Sequence, residues 1–435
     1  MPGEHSLGLS IFGLYTTPSG LGVAASNTTR VLEKIGLDLN VFDIDAVGVP
    51  RLLDGQASAA VVSVNLFHVN PNWIELMLHA PGRFDYRWQD RLNVCVPFWE
   101  LPLVSADWVA MLSLFDVVLA PSHFIEAALL DSGLETPVIH VPQAAFLPER
   151  ICPDRERFGI DPGCVAYCLS FAPGSLVERK NPWAAIESFT SAFPDEDDVR
   201  LVVRVHVQAH AVCDDLTERL RARAAADSRI ILIDEPLTYE EVLGLYASCD
   251  VYLSLHRSEG LGLGPMEAMT LGKAVVATGW SGNMDFMTEE NSRPVDYMLV
   301  PAVLGDQTLY GPAIESADVL WAEPNLADAA AKMRDLYEHP GRREALGARA
   351  MTDMSSRRET VSQGVFVKAL RVAHADMLKS PAHHHARAVQ LSRMQRAEAG
   401  PGWLERAKRR AVGMARRLHL RHDSSQGVSR DSRDR

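Results

Sequence analysis

No apolar run in these 435 residues approaches the roughly 20 that a membrane-spanning helix needs. No basic segment precedes the first apolar stretch, residues 7–15, so it does not read as a secretory signal; it reads as a first strand. Cysteine is sparse. Six are scattered along the chain (Cys95, Cys152, Cys164, Cys168, Cys213, Cys249) with no C-x-x-C pair, which disfavours a zinc knuckle or a disulfide frame and suits a reduced, cytosolic protein. Low-complexity tracts and short-period repeats are missing as well. Positive charge is lacking where a nucleic-acid binder would need it. The chain carries −13, and residues 371–435 hold 15 Lys and Arg against 6 Asp and Glu, so residues 1–370 hold −22. An acidic body of that kind argues against nucleic acid as a partner.

What is present is a large core and a repeated pattern. With 47% hydrophobic residues over this length, the chain predicts two domains of ordinary size plus a tail. Apolar strands at 7–15, 39–44, 59–67, 93–98, 115–120 and 138–141 alternate with helical segments, and several end in polar residues. This predicts one doubly wound parallel sheet over residues 1–150. After the proline-punctuated stretch 142–153 the pattern restarts, with strands at 165–171, 199–205, 230–233, 250–255 and 273–278. The second α/β domain is placed at 151–355, a C-terminal helix packing back on the first domain at 356–380, and a basic, partly disordered tail at 381–435. Asp43-Ile44-Asp45 has the form of a metal-binding D-x-D, but an acidic strand terminus explains it better, and no metal site is assigned. His68 follows the third strand, where open α/β sheets place their ligands. His383-His384-His385 sits in the polar tail and reads as an adventitious metal binder.

The second domain is organised around residues 258–286, SEGLGLGPMEAMTLGKAVVATGWSGNMDF. An apolar strand leads into a loop with Gly260, Gly262 and Gly264, and Pro265 opens a helix that Gly272 stops. Glycines let backbone N–H groups approach an anion, and the start of a helix favours negative charge. This is phosphate-binding geometry, yet Glu259 and Glu267 flank it. Carboxylates are poor phosphate ligands and good acceptors for sugar hydroxyls, so the pair suits a molecule that is anionic in the middle and hydroxyl-rich at both ends. Arg179 and Lys180 lie at a second helix entry, where cations are disfavoured by several tenths of a kcal/mol unless an anion is near.

Arg179-Lys180-Asn181-Pro182, the E-x7-E of Glu259 and Glu267, and Ser281-Gly282-Asn283 resemble the retaining GT-B glycosyltransferases of the family-4 type, also called glycosyl transferases group 1. The segments WELP, APSHF, ERKNP, EGLGLGPMEAM and WSGNMDF are similar to a bacterial subgroup linked to polysaccharide or surface-glycan assembly. The resemblance implies an α/β fold of two Rossmann-like domains facing a cleft, and a glycosyltransferase acting on a nucleotide-diphosphate sugar (UDP- or GDP-sugar) with retention of configuration. It gives the ribose to Glu267, the transferred sugar to Glu259, and the diphosphate to the backbone of Gly260, Leu261, Gly262 and Leu263. Lys180 matches the phosphate-binding lysine and His68 the active-site histidine, while Gly20 and Gly22 fall in the loop that lies against the phosphates. Where the family has an arginine this chain has Gly174-Ser175; Arg179 or Ser175 takes that part. His256 and Trp280 are further candidates for sugar or base contacts.

Bond breaking at the anomeric carbon sends negative charge onto the diphosphate, and fixed cations at that group can replace a divalent ion. Metal-independent transfer without a cofactor is therefore expected, to a glycan or lipid-linked acceptor. A nucleotide-sugar epimerase and a catalytically weak sugar-nucleotide-binding subunit are the rival readings. Residues 402–418 have the spacing of a basic amphipathic helix suited to an anionic membrane surface, with a solvated tail as the plainer reading. The expected location is cytoplasmic, peripheral on the inner face of the membrane if the tail binds there.

Overall fold

The computed structural model describes residues 8–17, 19–53, 62–80, 84–206, 214–304 and 319–396. Two sheets organise it. The first contains β1 (Gly8–Gly13), β2 (Leu39–Ile44), β3 (Pro50–Leu52), β4 (Val62–Phe67), β5 (Leu92–Cys95), β6 (Val117–Ala120) and β7 (Val138–His140), in the order β3-β2-β1-β4-β5-β6-β7. All its pairings are parallel except that of β3 with β2. The second contains β8 (Val165–Phe171), β9 (Val199–Val205), β10 (Ile230–Ile233), β11 (Val251–Ser254), β12 (Ala274–Thr278) and β13 (Arg293–Val295), wholly parallel in the order β10-β9-β8-β11-β12-β13. An antiparallel pair, β14 (Tyr297–Pro301) with β15 (Leu320–Pro324), was not foreseen from the sequence; Tyr297, Met298 and Leu299 are exposed on it.

The central strands are apolar throughout because helices cover both faces. Leu9 and Ile11 of β1 enter one apolar cluster while Phe12 enters another, stacked between Phe42 and Phe67 at centroid distances of 5.0 and 4.8 Å. In the second sheet Ala166 and Cys168 point one way and Tyr167, Leu169 and Phe171 the other. This two-residue alternation separates the three clusters that border the sheets. The cluster holding Leu9 and Ala166 draws on both sheets, so the halves share buried surface instead of merely touching.

Helices at 342–351 and 360–378 are expected from the sequence. The first instead runs over Pro340–Thr360, since neither Gly nor Pro interrupts residues 348–360. A π-turn at Val361–Val365, bent at Gly364 with φ of 89°, joins it to the helix Phe366–Lys379. Phe366, Val367, Leu370 and Ala373 complete the shared cluster.

The tail boundary needs correction. Residues 381–396 are not a polar tail but a helix, Pro381–Arg396, with Ala388 and Leu391 buried in the cluster of Phe12 and Trp88. His384, read as part of an adventitious metal binder, lies buried against Asp116, its Nδ1 2.9 Å from Oδ1 and its Nε2 3.1 Å from the carbonyl of Gln89. Periodicity missed this helix because most of its residues are polar; one buried histidine and two apolar contacts dock it. The basic amphipathic segment 402–418 lies outside the described residues. Among the described residues no helix is long and apolar enough to cross a membrane.

Candidate active site

In each sheet the strand order reverses at one place, between β1 and β4 and between β8 and β11. Loops leaving adjacent strands diverge there and open a crevice, which is where doubly wound sheets bind ligands. The two crevices face each other. Ser122 Oγ donates to the carbonyl of Gly260 at 2.6 Å, Ser258 Oγ donates to the carbonyl of Glu100, and a Cβ on Gly20 would lie 3.6 Å from Leu263 Cδ1.

From β8 the chain passes through the turn Pro173–Ser175 to Leu176 and Asn181, both left-handed with φ of 60° and 50°, on either side of the short helix Val177–Lys180. That bend turns Arg179 inward and Lys180 toward the cleft. Arg179 is 2% exposed; its guanidinium donates to the carbonyl of Ser258 at 2.7 Å and lies 3.3 Å from Glu259 and 3.7 Å from Glu100. Lys180 donates to Glu259 Oε1. Burial pushes the Glu259 carboxyl up, but the charges of Lys180 and Arg179 outweigh it and hold the group at about 2. Glu259 is therefore an anion at every physiological pH. Burial in turn lowers the Lys180 ammonium, against the pull of Glu259.

The phosphate loop is shaped by close contacts. Gly262, at φ of 84°, precedes the helix Leu263–Thr270, whose first N–H groups have no acceptor within the helix. A Cβ on Gly260 would sit 2.4 Å from the carbonyl oxygen of Trp99, and one on Gly282 would sit 2.0 Å from that of Gly260. Segment 281–283 braces the loop. Ser281 Oγ accepts the Glu259 N–H at 2.8 Å, the Gly282 N–H donates to the Glu259 carbonyl at 2.9 Å, and Asn283 Nδ2 donates to Thr278 at 2.9 Å.

Glu267 lies on the same helix in a different environment. It is 5% exposed, and burial raises its carboxyl to about 7 even though the Tyr239 hydroxyl, donating at 2.8 Å, stabilises the anion. Arg204, at the end of β9, adds a favourable charge. One loop thus carries two carboxylates with opposite tuning. Glu259 is fixed as an anion and Glu267 is poised between its two forms.

Several expected residues are placed differently. His256 is fully buried with Nδ1 3.0 Å from Ser254 Oγ and Nε2 3.0 Å from Asn283 Oδ1, so both ring nitrogens are taken up in bracing the loop. Arg179 likewise supports the loop from inside, which leaves Lys180 as the cation nearer the cleft. His68 is fully covered; burial lowers it to about 4, so the ring is neutral, with Nε2 3.0 Å from Thr28 Oγ1. Thr28 in turn donates to Gln143 Oε1 at 3.1 Å. Gly22 is required by space, since its Cβ would meet the Leu14 carbonyl oxygen at 2.4 Å. Ser175 ends the first turn after β8 and is partly exposed. Asp43 and Asp45 are turn anchors: Asp43 accepts from the Thr16 N–H at 3.1 Å and Asp45 from those of Val47 and Val49 at 3.1 and 2.9 Å. Sequence reasoning missed Tyr239, Arg204 and Glu100. No local motif marks Tyr239 or Arg204, while Glu100 stands in WELP, where only its register carried weight.

Residues 172–306 match the family described as glycosyl transferases group 1. The chain is similar in structure to Anabaena HepE, solved with UDP and glucose, at 14% identity and a TM-score of 0.57, covering 84% of this chain and all of that one. It is also similar to sucrose-phosphate synthase from Thermosynechococcus elongatus, at 12% identity and a TM-score of 0.58, covering 85% of this chain and all of that one. Against S. aureus TarM it spans about half of the longer protein, 55%, with 72% of this chain covered, 12% identity and a TM-score of 0.49. No curated protein has a significantly similar sequence. The fold is GT-B, and the match to glycosyl transferases group 1 lies in the segment after β8.

Proposed function

We propose that this GT-B chain is a glycosyltransferase that moves a sugar from a nucleotide-diphosphate donor to a glycan or lipid-linked acceptor, with retention and without a metal ion. The observation that carries the reading is the Lys180–Glu259–Arg179 cluster at the switch point of the second sheet, beside a glycine-lined helix start. A carboxylate held at about 2 cannot act as a general acid; it accepts hydrogen bonds from hydroxyl groups of the migrating sugar. Lys180 and the N–H groups of Leu263 and Gly264 are fixed partial and full positive charges where the leaving diphosphate gathers negative charge, the kind of stabilisation that contributes most to catalysis. Glu267 takes the ribose hydroxyls. HepE, which shares the fold, was solved with UDP and glucose, and this supports a UDP-sugar as the first donor to try.

Retention is carried over from the family resemblance, and the fixed cations support a metal-free route. His68, neutral and enclosed beside Thr28, positions the first-domain wall of the cleft and offers a carbonyl or ring nitrogen to the sugar once the halves part. We also assign the basic segment 402–418 to an anionic membrane surface. Deleting residues 397–435, and not the docked helix before them, should abolish pelleting with anionic vesicles while sparing donor hydrolysis. The function is tested by presenting purified protein with UDP-, GDP- and ADP-sugars and following thermal stability and donor consumption. One donor should stabilise and be consumed, and Lys180→Ala should lower turnover at least a hundredfold. Stabilisation without consumption would make the protein a binding subunit, and neither effect with any donor would end the reading.

A further inference from the structure

Away from the phosphate loop, three metal-ligating side chains meet across the boundary between the halves. His123 opens the helix His123–Asp131 after β6, His140 ends β7, and Asp285 lies in the turn Gly282–Asp285 of the second domain. One ligand atom from each falls within 4.8 Å of the others. His140 Nε2 and Asp285 Oδ2 are 3.4 Å apart, and the two imidazole rings lie 3.8 Å apart by centroid. Zinc–ligand bonds of about 2.0–2.2 Å place tetrahedral ligands about 3.3 Å from each other. The His140–Asp285 pair already has that spacing, and His123 needs only a side-chain adjustment.

The surroundings fit a cation. The His123 N–H donates to Asp285 Oδ2 at 2.9 Å and so fixes the carboxylate against the two imidazoles. His140 Nε2 is enclosed and is directed at Asp285 Oδ2, so it points into the cluster. Glu126 Oε2 lies 3.0 Å from His123 Nδ1, the outer carboxylate that orients a ligating imidazole and raises its basicity. The His123 side chain is 66% exposed, which gives an ion a path from solvent and leaves a fourth position for water. Arg357 is the neighbouring cation, and it is directed to the Asp285 carbonyl at 3.1 Å and to the carbonyl of Gln143 at 2.7 Å, away from the carboxylate.

We propose that His123, His140 and Asp285 form a binding site for a borderline-soft divalent cation, Zn2+ above all, that latches the two domains in the closed arrangement. Two imidazoles and one carboxylate form a donor set that zinc favours over magnesium or calcium, which prefer oxygen. Because Asp285 ends the same turn, Gly282–Asp285, that braces Glu259, an ion here tightens the loop that holds the sugar carboxylate and slows the opening that releases product.

The test uses the full chain and Zn2+ alone, read by calorimetry, with Co2+ as an optical substitute whose visible bands report four-coordinate geometry. One equivalent should bind, raising the midpoint of thermal unfolding. His140→Ala and the exposed His123→Ala should each weaken binding at least tenfold, as should Asp285→Asn. A His383→Ala/His385→Ala variant should bind as the parent does. Equal affinity in the parent and in His123→Ala, or loss of binding only in the His383/His385 variant, would overturn the proposal. Neither outcome bears on the glycosyltransferase reading, which uses none of these side chains.

Discussion

Glu267 should make nucleotide binding depend on pH in a direction the structure sets. Its carboxyl is raised to about 7 in the free protein, first by burial, and ribose hydroxyls donate far more strongly to its ionised form, in which both oxygens accept. Binding must therefore release a proton below pH 7. The ionised fraction falls from about nine-tenths at pH 8 to about one-tenth at pH 6, so the Kd for UDP should weaken about tenfold over that interval, close to 1.4 kcal/mol. Because the ionisation of the nucleotide's own phosphate overlaps this range, the quantity to measure is the difference between the parent and Glu267→Gln by calorimetry from pH 5.5 to 8.5. The variant should lack the tenfold term and bind more weakly at pH 8. Tyr239→Phe, which removes the hydroxyl that stabilises the anion, should move the midpoint above 7. The same shift has an opposite consequence for the free protein. The folded value lies above the ordinary carboxylate value, so the contribution to stability is full below about 4.5 and is lost as pH rises through 7. The buried carboxylate then costs about 3 kcal/mol by linkage, and unliganded Glu267→Gln should unfold at a higher temperature than the parent at pH 8. An identical pH slope in parent and variant would refute both the environment assigned to Glu267 and its place at the ribose.

Gly282→Ala would drive a methyl group to 2.0 Å from the Gly260 carbonyl oxygen. Displacing the loop by about 1 Å should lower kcat/KM roughly a hundredfold with a modest fall in Tm, while Gly341→Ala, whose Cβ meets nothing within 4 Å, should change neither. The His384 imidazole is raised above its ordinary value, first by its bond to Asp116, so it favours the docked helix fully below about pH 6.5 and loses that contribution as pH rises through the raised value. Tryptic cleavage at Arg387 and Arg393 should accelerate with pH and be at least tenfold faster in His384→Ala at pH 7; equal cleavage would show that the ion pair does not hold the helix. Arg179→Lys keeps the charge but not the fork that reaches Ser258, Glu259 and Glu100. Turnover should fall at least tenfold while the protein remains folded by circular dichroism.

Some of the molecule could be read directly from residue order, and the physical reason is range. The strands of both sheets apart from the short edge strands β3 and β13 were legible because buried parallel strands are short apolar runs bounded by polar loops, a property of neighbouring residues. The E-x7-E pair was legible because one loop and one helix turn hold both carboxylates, and Arg179-Lys180 because two cations at a helix entry ask for an anion. The different tuning of Glu259 and Glu267 was not legible. It arises from which distant side chain each meets, Lys180 across 79 residues in one case and Tyr239 across 28 in the other. The same limit hides from the sequence that Arg179 meets Ser258 and Glu259, and His256 meets Ser254 and Asn283. It also explains the helix of His384, whose docking rests on Asp116, 268 residues earlier.

The sequence by itself determined that two parallel-sheet domains form and that one carries a phosphate loop flanked by carboxylates, because apolar periodicity, glycine placement and helix capping act over a few residues. Only the tertiary structure decided which cation faces the cleft, which carboxylate stays ionised, and that His123, His140 and Asp285 meet. Burial and charge pairing depend on distances between elements, and those distances exist only once the two sheets have packed together.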